Sequence, residues 1–168
     1  MQKMSSSIFI LTGPVHSGKT TWLCEQVVAN KNCAGILQPV VDGRRTMYDI
    51  HSGTSMLLEA NDTDEYVIKV GRYTFLRIAF DRAKNQLISA VHLEKEWLII
   101  DEIGKLEIEQ NDGLEPTVSE LIQMRLNNQL SPKLLLVIRD YLLDDAIKKY
   151  GLDNASVMIF DGKNKMIL

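Results

Sequence analysis

The eight residues 13–20, with the sequence GPVHSGKT, constrain the fold of this chain more than any other segment. They match the pattern GxxxxGKT, follow the apolar run 8–11 and precede a stretch whose apolar residues have helical spacing. Glycine at both ends of the loop permits a tight turn, so that backbone N–H groups converge on phosphate oxygens at the positive end of a helix. The segment therefore predicts a strand, a phosphate-binding loop and a helix in that order.

Two side chains of the loop have chemistry of their own. Lys19 can reach the β- and γ-phosphates of a nucleotide as a point charge, and Thr20 offers a hydroxyl as one ligand of Mg²⁺. The alternative is an ordinary glycine-rich turn, which has no use for a Lys-Thr pair at the start of a helix. We expect a nucleoside triphosphate to be bound by Gly13, Pro14, Val15, His16, Ser17, Gly18, Lys19, Thr20 and Thr21.

Length and charge restrict the class of protein. The 168 residues, of which 45% are hydrophobic, fit a single domain over residues 1–168 with one large core. A net charge of −3 gives no general attraction for nucleic acid or for an anionic membrane. Residues 1–7 lack the apolar length of a signal or membrane-spanning segment, and Cys24 and Cys33 are expected to be reduced structural thiols. These features predict a cytoplasmic protein.

The periodicity of the apolar residues indicates alternating strands and helices. Strands are predicted at 8–11, 34–41, 97–100, 134–138 and 157–160, and helices at 20–29, 79–93, 116–126 and 141–149. Asp42-Gly43 is a hairpin turn signal within a β-rich insert that follows the first helix. The pattern predicts an α/β fold of three layers, a P-loop NTPase architecture with a mostly parallel central sheet and a β-hairpin insert.

A second motif, Asp101-Glu102, ends the apolar strand that begins at Trp97. Ligands of a doubly wound sheet bind outside the carboxyl ends of its strands, so we expect this acidic pair beside the phosphate loop. Asp101 is predicted to act with Thr20 at Mg²⁺, and Glu102 to polarise the attacking water. The alternative is a helix N-terminus, where acidic residues favour the helix dipole.

The stretch DEIGKLE at 101–107 is distinctive and carries a family resemblance. Together with GPVHSGKTT, the GRR turn at 43–45 and Gly71-Arg72-Tyr73, it resembles the small P-loop nucleoside-triphosphatase family whose human member is called the cancer-related nucleoside triphosphatase. The likeness spans roughly residues 8–126. It implies slow, Mg²⁺-dependent hydrolysis of several nucleoside triphosphates with little discrimination between bases.

An additional cation stabilises the transition state of phosphoryl transfer, so every arginine is a candidate catalytic group. Arg72 is preferred because it lies in a turn between the insert and the central helix, whereas Arg139 ends a strand and contacts base or ribose, or pairs with Asp140 or Asp144. Lys105 either reaches the site or faces water. The remaining candidates are Arg44, Arg45, Arg77, Arg82 and Arg125.

The sequence thus predicts a nucleoside triphosphatase with water as acceptor and with Glu102, Lys19 and Arg72 as catalytic residues. Two alternatives stay open. One is a small nucleoside or nucleotide kinase, although residues 127–150 lack the arginine-rich lid that excludes water from such sites. The other is a nucleotide-dependent switch or assembly protein that binds a protein partner.

Overall fold

The computed structural model of the chain describes residues 7–162, which form ten β-strands and five α-helices. The strands are β1 (Ile8–Thr12), β2 (Cys33–Leu37), β3 (Val40–Val41), β4 (Arg44–Asp49), β5 (Thr54–Leu57), β6 (Val67–Val70), β7 (Tyr73–Leu76), β8 (Trp97–Ile103), β9 (Lys133–Ile138) and β10 (Ser156–Ile159). The helices are α1 (Lys19–Ala29), α2 (Arg77–Ala90), α3 (Lys105–Ile108), α4 (Thr117–Leu126) and α5 (Leu143–Tyr150), and a short 3-10 helix (Asp140–Leu142) precedes α5.

The central sheet has the strand order β10-β1-β9-β8-β2-β4-β3, and β5 pairs with β4. The first five strands in this order are parallel, whereas β4 pairs antiparallel with β2, β3 and β5. Strand β9 therefore lies between β1, which leads into the phosphate loop, and β8, which carries the acidic pair. The predicted α/β fold with a mostly parallel sheet is confirmed.

Helices cover both faces of this sheet, which gives three layers. Side chains of β8 alternate: Leu98 and Ile100 face the core beneath α2, α4 and α5, whereas Trp97 and Ile99 face the core beneath α1. All four are at least nine-tenths buried. Burying one such side chain contributes about 2 kcal/mol, so the two cores fix the strand ends that carry the site.

The insert after α1 consists of an antiparallel meander, β3–β4–β5, and a separate hairpin, β6–β7, rather than of one hairpin. Asp42 and Gly43, with φ of 50° and 76°, make the predicted turn between β3 and β4, where Val41 pairs with Arg44. The β6–β7 hairpin forms a separate two-stranded sheet, and Gly71-Arg72 is its turn. We expected this turn to lead directly to the central helix, α2, but strand β7 lies between them.

The predicted strand 34–41 is wrong at its centre, because β2 ends at Leu37 and β3 begins at Val40. Pro39 has no N–H to donate to a neighbouring strand, and the N–H of Gln38 is donated to the side chain of Asp101 instead. The interruption thus turns the backbone from the central sheet towards the insert at the level of the acidic pair.

The predicted helix 79–93 begins two residues earlier and ends at Ala90. The predicted strand 97–100 continues to Ile103, so the acidic pair lies within its irregular end, and helix α3 after it was not predicted. A helix does follow Asp101-Glu102, as the alternative interpretation required, but the acid in its first turn is Glu107.

None of the helices within residues 7–162 is long and apolar enough to cross a membrane.

Candidate functional site

The loop between β1 and α1 is shaped by two glycines with positive φ. A Cβ on Gly13 would lie 2.6 Å from the carbonyl oxygen of Phe160, because the chain after β10 runs directly against the loop. Gly18, with φ of 93°, is the N-cap of α1. The loop therefore needs glycine at position 13 for close backbone approach and at position 18 for a left-handed conformation.

The ammonium group of Lys19 folds back over this loop. Its Nζ donates to the carbonyl oxygens of Gly13 and Pro14, each at 2.8 Å, and to Oγ of Ser17 at 3.1 Å. Burial lowers the pKa of Lys19, and the negative charges of Glu102, Asp140 and Asp101 oppose that shift. A buried cation at the mouth of a helix N-terminus provides a strong attraction for phosphate.

Asp101 connects the loop to the acidic strand. Its Oδ2 accepts hydrogen bonds from Oγ1 of Thr20 at 2.9 Å and from the backbone N–H of Gln38 at 3.0 Å. The side-chain amide of Gln38 also donates to the carbonyl oxygen of Asp101, at 3.3 Å. Thr20 and Gln38, which precede Asp101 by 81 and 63 positions in the sequence, therefore both meet it at the edge of the sheet.

The second oxygen of Asp101, Oδ1, is buried and has no hydrogen-bond partner among the described residues. Burial and then the charge of Glu102 raise the pKa of Asp101 to about 6, while hydrogen bonds from Gln38 and Thr20 oppose the shift. An unpaired carboxylate oxygen next to a hydroxyl is a donor set of hard oxygens, which fits Mg²⁺. The described residues contain no cluster of three or more His, Cys, Asp or Glu side chains that could hold a metal ion.

Glu102 turns away from Asp101 and pairs with an arginine from the neighbouring strand. Its backbone has φ of 58°, a left-handed conformation that is uncommon outside glycine. Its Oε2 accepts from Nη2 of Arg139 at 2.9 Å and from Nε at 3.2 Å. The pairing of Ile103 with Ile138 across β8 and β9 brings these two side chains together.

A cleft of about 470 Å³ surrounds the loop, within the range usual for small-molecule sites. Its walls include the loop residues from Val15 to Thr21 and, on the far side, Gln38, Arg45, Glu102 and Arg139. Arg72 does not line this cleft. Its Nη2 donates to the hydroxyl of Tyr73 at 2.9 Å, and it lines a second cavity that adjoins the cleft.

The sequence alone indicated no role for one residue of the site and predicted the wrong partner for another. Gln38 had no assigned role, yet it holds both the side chain and the backbone of Asp101. Arg139 was predicted to contact base or ribose or to pair with Asp140 or Asp144, whereas its ion pair is with Glu102. The signal for both is position, since each follows the carboxyl end of a strand next to β8.

A second buried carboxylate, Glu107, lies six residues after Asp101. Its Oε2 accepts from the N–H of Gly104 at 2.9 Å, and its Oε1 accepts from the N–H of Leu114 at 3.0 Å. Burial raises the pKa of Glu107 to about 7, although these two N–H groups favour the charged form. Glu107 thus fixes the chain around α3 and lines the second cavity.

Comparison with known proteins agrees with this arrangement. A family model described as NTPase matches residues 8–159. The chain belongs to this NTPase family. The family resemblance carried by the loop and by DEIGKLE is therefore confirmed, and membership places the chain among the nucleoside triphosphatases.

A solved structure shares the fold. It is the crystal structure of THEP1 from the hyperthermophile Aquifex aeolicus, with a TM-score of 0.70 and 20% sequence identity, covering 94% of this chain and 92% of that chain. At this identity the likeness concerns the fold. No match was found among curated proteins.

Proposed function

We propose that this member of the NTPase family hydrolyses ATP, GTP, CTP and UTP to the diphosphate and phosphate, with Mg²⁺ as cofactor and water as acceptor. The observation that carries the proposal is the hydrogen bond of 2.9 Å between Thr20 and Asp101, which joins the phosphate loop to the acidic strand. The proposal treats residues 1–168 as one cytoplasmic domain.

The phosphate end of the nucleotide would be held by the loop from Gly13 to Thr21. Converging N–H groups bind the α- and β-phosphates, and Lys19 exchanges its bonds to loop carbonyls for oxygens of the β- and γ-phosphates. Thr20 and Asp101 would hold Mg²⁺, Asp101 through a water. The ion, when bound, supplies positive charge that stabilises the phosphate oxygens during transfer.

Glu102 would accept the proton of the attacking water. Its pairing with Arg139 does not use all the donors of the guanidinium, because Arg139 directs Nε and Nη2 to Glu102 and has further N–H groups. Arg139 can therefore hold Glu102 in position and still donate to an oxygen of the γ-phosphate. Arg72 remains our proposed additional catalytic cation, acting from the neighbouring hairpin turn.

The test is Mg²⁺-dependent phosphate release from the four nucleotides by wild type, Lys19→Ala, Glu102→Gln and Arg72→Ala. Glu102→Gln should bind nucleotide as wild type does but turn over about 10²–10⁴-fold more slowly, because a general base is lost. Lys19→Ala should lose binding as well. Arg82→Ala, an exposed arginine on α2 that lines neither the cleft nor the second cavity, is the control. Unchanged turnover in Glu102→Gln would reject the role of Glu102.

A further inference from the structure

A second cavity of about 230 Å³ adjoins the phosphate-loop cleft and has a different lining. The two spaces share Gln38, Arg45, Glu102 and Arg139 as a common boundary. Beyond this boundary the wall of the second cavity is formed by the β6–β7 hairpin, by the residues around α3, by Phe80 of α2 and by Tyr141 of the 3-10 helix. Its aromatic side chains are Tyr73, Phe75, Phe80 and Tyr141.

Three cations of the cavity lining have no acidic partner among the residues that the structure describes. The guanidinium groups of Arg45 and Arg72 lie 5.2 and 5.1 Å from the ring centroid of Tyr73, and Nζ of Lys105 lies 6.0 Å from that of Tyr141. Among residues 7–162, none of these three forms an ion pair. In a chain with a net charge of −3, such a concentration of positive charge attracts an anion.

The two acids of the lining do not neutralise these cations. Glu102 is paired with Arg139, and both oxygens of Glu107 accept hydrogen bonds from backbone N–H groups. An anionic group that enters the cavity therefore meets Arg45, Arg72 and Lys105, which form no ion pair among residues 7–162.

The cavity lies at the γ-phosphate end of a bound triphosphate. The loop N–H groups hold the α- and β-phosphates and Lys19 reaches the γ-phosphate, so the nucleoside leaves the cleft on the side away from Asp101 and Glu102. The second cavity begins at Glu102. Its occupant is consequently a molecule other than the base or ribose of the same nucleotide.

We propose that this cavity binds a second small molecule beside the nucleotide, consisting of one aromatic ring that carries a carboxylate or a phosphate. The aromatic walls favour stacking or edge contacts with a ring, and the unpaired cations favour one anionic group. The volume lies below the 300–1,000 Å³ usual for larger ligands, which favours a single ring over a whole nucleotide. The inference rests on the proposed function only for the placement of the triphosphate.

The test uses benzoate and phenyl phosphate as probes, with the protein saturated by Mg²⁺ and a non-hydrolysable ATP analogue. Titration calorimetry and saturation-transfer NMR should detect binding of both probes, and benzyl alcohol, which has the ring but no charge, should bind at least tenfold more weakly. Lys105→Met and Tyr141→Ala should each weaken benzoate at least tenfold. Lys148→Met, which removes an exposed lysine of α5 outside this cavity, should not change its affinity.

Three results would overturn the proposal. The first is that neither probe binds, the second is that the ATP analogue displaces both probes, and the third is that Lys105→Met and Tyr141→Ala bind benzoate like wild type. The second result would place the anions in the phosphate loop. Phosphate release from ATP, measured on the same protein preparations without the analogue, separates the two proposals, because binding without hydrolysis would reject only the hydrolase and hydrolysis without binding would reject only this site.

Discussion

Asp101 and Glu107 are both fully buried carboxylates, only six residues apart, yet their surroundings differ in one respect. Both oxygens of Glu107 accept backbone N–H groups, whereas Asp101 has one oxygen bonded twice and the other without a hydrogen bond among the described residues. Burying an unsatisfied polar atom costs free energy that folding alone does not recover. We therefore propose that Glu107 stabilises the fold and that Asp101 serves to bind a ligand.

The largest expected effects are opposite for the two acids: substitution of Asp101 should lower turnover, and substitution of Glu107 should lower the free energy of unfolding. Asp101→Asn removes a buried charge, so the free energy of unfolding should stay the same or rise, while turnover should fall at least 100-fold. Glu107→Ala leaves two buried N–H groups unpaired and opens a cavity, so the free energy of unfolding should fall by about 2–4 kcal/mol. Its turnover per folded molecule should stay within about twofold of wild type, since it touches no loop residue.

Urea unfolding and phosphate release on both variants check this result. A loss of turnover in Glu107→Ala without a loss of stability would remove the distinction between the two carboxylates.

The second prediction tests how tightly Glu107 is held. Gly113 and Gly151 both have φ of 68°, but a Cβ on Gly113 would lie 2.3 Å from Oε1 of Glu107, whereas nothing lies within 4 Å of one on Gly151. Gly151→Ala should cost about 1–2 kcal/mol of unfolding free energy from backbone strain alone. Gly113→Ala should cost about 3 kcal/mol or more, because the side chain of Glu107 must also move and lose its hydrogen bond from the N–H of Leu114. Equal losses in urea unfolding would mean that Glu107 shifts freely.

The third prediction concerns pH. The pKa of Glu107 in the folded state, about 7, lies above its ordinary value of 4.5, so between these values the folded state retains a proton that the unfolded state releases. The free energy of unfolding should therefore fall as pH rises through this window, by at most about 3 kcal/mol, and then level off. Glu107→Gln resembles the protonated acid and should lack this contribution, so that only the fall due to Asp101, whose pKa is raised to about 6, remains. Urea midpoints of both proteins at pH 5 and pH 8 measure the difference.

The smallest effects separate two arginine–carboxylate pairs of similar exposure. Arg77 binds Asp112, the residue before Gly113, through two hydrogen bonds of 2.9 and 3.1 Å, while Arg139 binds Glu102 at the cleft. Arg77→Met should lower the free energy of unfolding by at most about 1 kcal/mol and leave turnover unchanged. Arg139→Met should lower turnover at least tenfold, because the variant loses the guanidinium that positions Glu102 and contributes positive charge. Equal turnover in the two variants would count against a role for Arg139.

The sequence predicted the parts of the fold that depend on local periodicity. The apolar strands β1, β8 and β9 and the loop pattern at residues 13–20 were readable because each signal lies within one short segment. Pairing of Glu102 with Arg139, 37 residues away, depends on strand order, which periodicity does not contain. The four-residue helix α3 is too short to show a helical repeat.

Strand order also decides which chemistry this edge can have. Adjacent strands are about 4.8 Å apart, so one intervening strand leaves roughly 10 Å between the backbones of β1 and β8. Side chains that follow β1 can meet those of β8 across this gap, as Thr20 at the start of α1 and Asp101 do, and the residue after β9 lies in its middle. The topology thus places position 139 between the two motifs, where its side chain lines the cleft around the phosphate loop and also reaches Glu102.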